Sequence, residues 1–284
     1  MKARDGQRRR LYRLRGDRNR PRQITHLSIN RMIPNMLTLA ALCAGMTAIR
    51  FAMGGKWEAS VEAIMIAAVL DGLDGRVARL LNSTSTFGAQ LDSLSDFLSF
   101  GVAPGFILYM WSMSEVRSLG WAVALMFAAC SALRLARFNT QLTVADPPPY
   151  AAKFFTGVPA PAAAGLALLP MVGSFEFGPM PFQWPWLTIC TTILIGLLMV
   201  SRVPTFSFKK VRIHQEYVAA LMVIVALLAA FMTTEPWATL LIVGLGYLVT
   251  LPLSIRSYRA YKKAAESEPA PPGVPVLRAV DTAR

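Results

Sequence analysis

Apolar and polar residues follow one another along this chain in blocks. Eight apolar runs, near 34–53, 57–81, 87–111, 119–136, 155–172, 184–200, 217–232 and 237–255, are separated by polar or basic connections. Most are close to the ~20 residues an α-helix needs to cross hydrocarbon. The pattern predicts an all-α polytopic membrane protein with about eight transmembrane helices. Pro34 suits the first turn of the first helix, where its missing N–H is not needed. Two neighbouring runs break the pattern. The second ends in Asp71-Gly-Leu-Asp74-Gly75-Arg-Val-Ala78-Arg79, and the third begins Gly88-Ala-Gln-Leu-Asp92-Ser-Leu-Ser-Asp96. Carboxylates at membrane depth are costly, and by default they mark a functional site.

Composition supports the membrane reading. Charged residues make up 16% of the chain, against about 25% in an ordinary soluble domain, and mean hydropathy is +0.44. The formal net charge is +13, and its placement is the informative part: eleven basic residues fall within the first 31 positions. Beside a membrane domain this run reads as a cytoplasmic arm against anionic lipid headgroups or as a topology signal. Nucleic acid is not an expected partner. No secretory signal pattern precedes the first apolar run. The connections at 82–86, 134–153 and 202–214, with the start of the tail, are basic, whereas those at 54–58, 112–118, 173–183 and 233–236 hold only Lys56 and Arg117. That asymmetry predicts both termini, and all four carboxylates, on the cytoplasmic side. Cys43, Cys130 and Cys190 lie singly in apolar runs and read as small buried hydrophobes. His26 and His214 are too far apart to suggest a paired site.

The expected organisation is a basic arm over 1–31, a membrane core over 32–212, two further transmembrane helices over 213–256, and a disordered, Pro-rich tail over 257–284.

On a helix, positions 71, 74, 75 and 78 share one face, as do 88, 92 and 96 on the next. The short turn between the runs makes the two helices antiparallel neighbours, so four carboxylates can converge at their cytoplasmic end. Like charges at that spacing cannot all stay ionised in a partly dry site unless a cation joins them. An all-oxygen donor set suits Mg²⁺, Mn²⁺ or Ca²⁺. Gly75 and Ala78 leave room close to the backbone, and Arg79 is placed for a phosphate. The residues alone therefore suggest a metal-bound phosphorylated ligand at the membrane surface. A structural ion network with Arg76 and Arg79, and a proton or cation transporter, are the other readings of four membrane carboxylates.

The spacing Asp-x2-Asp-Gly-x2-Ala-Arg-x8-Gly-x3-Asp-x3-Asp over residues 71–96 resembles the signature of the CDP-alcohol phosphatidyltransferases at every fixed position. The resemblance implies a six-helix core, a homodimer, and two metal ions held by Asp71, Asp74, Asp92 and Asp96. Asp71 and Asp92 would bridge the ions, Asp74 would complete one and Asp96 the other. It also implies CDP contacts from Gly75, Ala78, Arg79, Ser85 and Gly88. Asn35 and Thr38, in a looser first-helix match, would join them. Asp96 is the candidate general base.

Ser131-Ala-Leu-Arg134-Leu-Ala-Arg137-Phe-Asn139, Phe155-Thr-Gly157-Val-Pro159-Ala-Pro161 and Val203-Pro-Thr-Phe-Ser207 are similar to the membrane-embedded bacterial phosphatidylserine synthases within that family. Gln90 and Val158 depart from that pattern, where Glu and Leu are expected. This narrower resemblance implies CDP-diacylglycerol and L-serine as substrates and a bacterial inner-membrane location. Arg134 and Arg137 would meet the serine carboxylate, with Asn139 beside them; positive-inside anchoring is the alternative role for these arginines. A sister enzyme using glycerol 3-phosphate or inositol phosphate is the alternative activity.

Overall fold

The computed structural model describes residues 29–141, 154–201, 203–206 and 215–267. The basic arm, Lys153, Arg202, Lys209, Lys210, both histidines and the end of the tail lie outside the described residues. The chain runs α1 (Ile29–Met53), α2 (Trp57–Leu80), α3 (Thr86–Asp96), a π-helical turn (Phe97–Val102), α4 (Ala103–Trp111) and α5 (Ser118–Gln141). It continues as β1 (Phe154–Thr156), α6 (Ala160–Ala167), α7 (Leu169–Phe177), α8 (Pro185–Val200), β2 (Pro204–Phe206), α9 (Gln215–Thr234) and α10 (Pro236–Ser267).

Among the described residues, four helical stretches are long and apolar enough to cross a membrane: Met32–Met53, Thr86–Trp111, Ser118–Thr140 and Pro236–Ser257. The pair α6 and α7, bent by 41°, makes a fifth if it is one broken span. The helices α8 and α9 are apolar but shorter. Charges at both ends, Glu58 and Glu62 early and Asp71, Asp74, Arg76 and Arg79 late, keep α2 out of this group. Their large apolar side chains point outward in quantity, for instance Met46, Ile66, Leu125 and Leu197, as lipid-facing surfaces do. The inner faces close around Phe100, Ile107, Leu108, Phe127, Met171 and Met199, each almost fully buried.

Four local expectations are corrected. The first helix begins at Ile29, so Pro34 lies inside it and not in its first turn; the lost N–H falls near the polar end of the helix, where it is tolerable. The expected run at 155–172 is a short strand followed by two helices, with Pro170 at the start of the second. The connection after α8 is not all loop: β2 pairs antiparallel with β1, with Phe155 opposite Thr205. Finally, α10 continues to Ser267, well past the expected start of the tail, because the segment after Arg256 is rich in helix-forming Ala, Lys and Arg.

Three features position the site. The Gly54-Gly55 turn, with Gly55 at φ +68°, folds α2 back along α1. Ser60 ties the pair by donating to the Ala48 carbonyl at 2.8 Å. The second turn ends at Ser85, which caps α3 by accepting from the Gly88 N–H at 3.0 Å. The α3 span then locks onto α1 through Ser95, donating to the Thr38 carbonyl at 3.1 Å, and Ser99, donating to that of Ala41 at 3.3 Å.

The π-turn lets α5 come close. A Cβ on Gly101 would lie 2.7 Å from both Cβ and Oγ of Ser131, and Ser131 is fully buried. We expect Gly101→Ala to cost about 1–3 kcal/mol by overpacking, read as a lowered melting temperature in detergent. Gly101→Ser, which adds bulk and a polar group, should be worse.

Candidate metal and nucleotide site

The four aspartates meet where α2 ends and α3 begins. Carboxylate oxygens of Asp71, Asp74 and Asp92 all lie within 4.8 Å of one another. Asp71 also contacts Asp96. Asp71 therefore belongs to the cluster with Asp74 and Asp92 and meets Asp96 as well. Asp74 is buried, and it accepts a hydrogen bond from the Thr38 hydroxyl at 2.5 Å. That hydroxyl is also 3.1 Å from the Pro34 carbonyl, but its one proton belongs on the charged acceptor. A buried oxygen of Asp96, Oδ1, has no hydrogen-bond partner.

These facts test whether a divalent ion fits. Three converging carboxylates and a fourth with an orphaned buried oxygen form an all-oxygen, strongly anionic donor set, which hard divalent cations match. Among the described residues Arg134 also faces Asp96, but a single guanidinium does not balance four carboxylates. The structural ion-network reading is weakened accordingly, since Arg76 and Arg79 both lie exposed on α2.

Beside the acids is a cleft of about 190 Å³. All seven residues expected at the nucleotide line it: Asn35, Thr38, Gly75, Ala78, Arg79, Ser85 and Gly88. Asp74 and Asp92 form its inner edge, so the cleft opens directly onto the carboxylates. The Arg79 guanidinium folds back over Gly75, with Nη1 3.8 Å from where a Cβ would stand. A Cβ at Gly88 would come 3.0 Å from Asn35 Oδ1 and 3.1 Å from Ser85 Oγ. A side chain there would crowd the two polar groups that line the cleft. Pro34, Ser83, Thr84 and Ala89 complete the walls. Sequence reasoning missed them, although Ser83 and Thr84 stand in the polar turn next to Ser85.

The three residues expected at serine separate. Arg137 Nη1 donates to the Val200 carbonyl at 2.7 Å, tying α5 to α8. Asn139 Nδ2 donates to Ser93 Oγ at 3.0 Å, tying α5 to α3 between two of the aspartates. Arg134 faces the site: its Nε is buried without a partner, and it lies in electrostatic reach of Asp96 and of Tyr247 on α10. The contacts of Gly101 with Ser131 and of Ser93 with Asn139 run in antiparallel order, and Asp96 and Arg134 fall between them on the two helices, within electrostatic reach of each other. Ser93 and Tyr247 were not anticipated. Ser93 could have been found from its place between Asp92 and Asp96, and Tyr247 as a lone phenol in an apolar run.

A bundle with a carboxylate cluster opening onto a nucleotide-sized cleft defines a class, and sequence comparison identifies it. The CDP-alcohol phosphatidyltransferase family model matches residues 31–252. The chain belongs to this family, whose members act in phospholipid synthesis and depend on divalent metal, and it is an integral membrane protein. It is 37% identical over 228 residues to the CDP-diacylglycerol–serine O-phosphatidyltransferase of Mycobacterium tuberculosis, covering 80% of this chain and 79% of that one. It is 36% identical over 242 residues to the enzyme of that name from Mycobacterium leprae, covering 85% and 79%. For the one from Helicobacter pylori the identity is 38% over 181 residues, covering 64% and 74%.

Proposed function

We propose that this protein transfers the phosphatidyl group of CDP-diacylglycerol to L-serine, giving phosphatidylserine and CMP. The observation that carries the choice of acceptor is Arg134: a half-buried arginine whose buried Nε has no partner, within electrostatic reach of Asp96. A carboxylate-bearing acceptor is what such a group recognises. The names of the similar enzymes support the same choice.

In this reading the cleft between α1, α2 and α3 holds the cytidine and its pyrophosphate. Arg79 pairs with pyrophosphate oxygens, and Asn35, Ser85 and the small residues Gly75, Ala78 and Gly88 fit the nucleotide against the backbone. Asp71, Asp74, Asp92 and Asp96 would hold two divalent ions, Mg²⁺ or Mn²⁺, at the inner end of the cleft. Bound there, such ions neutralise charge on the pyrophosphate and on the departing CMP. Thr38 fixes the rotamer of Asp74. Arg134 orients the serine carboxylate, and Asp96 receives the serine hydroxyl proton as the oxygen attacks the phosphorus that carries diacylglycerol. The bond from that phosphorus to the bridging oxygen breaks, and CMP leaves with the electron pair. Placing serine within attack distance is worth more than the basicity of the carboxylate.

The same reading takes α1 to α10 as eight spans with both termini cytoplasmic, in a homodimer in a bacterial inner membrane. The charge asymmetry of the connections supports the orientation.

Purified protein with CDP-diacylglycerol, Mn²⁺ and radiolabelled serine is expected to give labelled lipid and equimolar CMP. Product from glycerol 3-phosphate but none from serine would assign the sister activity. Ion flux in liposomes with no lipid product would assign a transporter.

A further inference from the structure

Asp74 differs from the other three aspartates. It is buried, whereas Asp71, Asp92 and Asp96 are half-buried. One of its oxygens is already engaged: Oδ2 accepts from the Thr38 hydroxyl at 2.5 Å, and Thr38 is buried too. This contact has little slack. The Thr38 carbonyl accepts from the Ser95 hydroxyl at 3.1 Å, so α1 is pinned to α3 at the residue that also reaches α2. A β-branched side chain in a helix has few rotamers, and the one adopted here keeps the hydroxyl 3.1 Å from the Pro34 carbonyl of the preceding turn. Thr38 and Asp74 both line the nucleotide cleft, and the Asp74 carboxylate lies within 4.8 Å of those of Asp71 and Asp92. A carboxylate has two acceptor oxygens. With Oδ2 taken by a buried donor, Oδ1 is the one left for a cation.

We propose that Thr38 is a positioning residue that sets the cation preference of the site: by holding Oδ2 it makes Asp74 a one-oxygen ligand, which disfavours Ca²⁺ relative to Mn²⁺ and Mg²⁺. The idea rests on the reading of the aspartate cluster as a divalent-metal site. Ca²⁺ gathers roughly six to eight oxygens and draws on carboxylates that can give both of theirs, whereas Mg²⁺ demands a compact octahedral set of single oxygens, a set that Mn²⁺ shares. A carboxylate with one oxygen fastened serves the second kind of ion and starves the first. The role gives α1 a task in the chemistry of the site that is separate from its contact with the nucleotide.

The test reads binding and not turnover. Mn²⁺ and Ca²⁺ are each titrated calorimetrically into the full chain in detergent, without CDP-diacylglycerol, for the parent, Thr38→Val, Thr38→Ala and Thr38→Ser. Thr38→Val keeps the branched shape and removes the hydroxyl, and Thr38→Ala is a second hydroxyl-free variant should valine fail to fold. The parent is expected to bind Mn²⁺ more tightly than Ca²⁺. In the hydroxyl-free variants the ratio of the Ca²⁺ Kd to the Mn²⁺ Kd should fall about tenfold, the lower end of what losing a hydrogen-bond partner of a metal ligand does. Thr38→Ser, which keeps the hydroxyl, should retain the parent ratio. An unchanged ratio in the hydroxyl-free variants overturns the proposal, and so does a loss of both ions by the same factor, which makes Thr38 merely structural. A ratio that falls equally in Thr38→Ser assigns the effect to shape and not to the hydroxyl, and overturns it as well. A parent that binds neither ion overturns the metal reading beneath it.

Discussion

Asp96→Asn should lower turnover by about three orders of magnitude and leave the protein folded. A general base contributes about 10²–10⁴, and loss of a metal-facing charge adds to that. The fold should survive because asparagine has nearly the same shape, and because the α3 span is held by other groups. Ser95 and Ser99 fasten it to α1, and Ser93 with Asn139 fastens it to α5. The substitution also removes one of four like charges, so the metal-free protein should melt no lower than the parent. Turnover at saturating substrates, together with melting in a chelator, checks both halves. Parental activity in Asp96→Asn would remove it from the chemistry. A collapse of the fold would show instead that its orphaned Oδ1 has a structural partner.

What could be read from the chain, and what could not, divides along the range of the interactions. Within α2 and α3 the helical period alone puts Asp71 with Asp74 and Asp92 with Asp96, and one short turn brings the pairs together. Neighbouring helices with a short link leave little freedom, so the cluster and its cleft were legible. The contact from Thr38 to Asp74 spans 36 positions and depends on how α1 packs on α2, which no periodicity records. The same holds for Arg134. Its residue type suggested a carboxylate, but only the α3–α5 register selects it over Arg137, whose Nη1 is taken by the Val200 carbonyl. In the broken pair α6 and α7, hydropathy sums over residues and is blind to direction, so a 41° bend passes unseen. Pro170 was the available signal, since a proline inside an apolar run ends or kinks a helix. The β1–β2 pair forms between segments that are individually too short and too mixed to show a strand period. Charge patterning predicted orientation, but it carries no information on where α10 ends.

Asp71→Asn is expected to be more damaging than a change at Asp74, because Asp71 lies within 4.8 Å of Asp74 and Asp92 and also contacts Asp96. Its carboxylate would be part of the donor set that holds the ions, and replacing it with a neutral amide would weaken their binding. Activity should fall by more than about 10³, in line with the several kcal/mol a metal contributes to charge stabilisation. The informative measurement is thermal stability, with and without metal. In a chelator the four carboxylates of the parent repel one another across a site of low dielectric, so Asp71→Asn should melt at the higher temperature. With Mn²⁺ at about one hundred times its Kd, the parent gains roughly 2.7 kcal/mol by mass action, which corresponds to several degrees. The variant gains little, and the order of the two melting temperatures reverses. A structural ion network held by arginine predicts the opposite in chelator, where loss of a paired carboxylate would destabilise and added Mn²⁺ would change neither protein. The crossing of the two melting curves therefore separates a metal cage from a salt-bridge cluster without reference to catalysis.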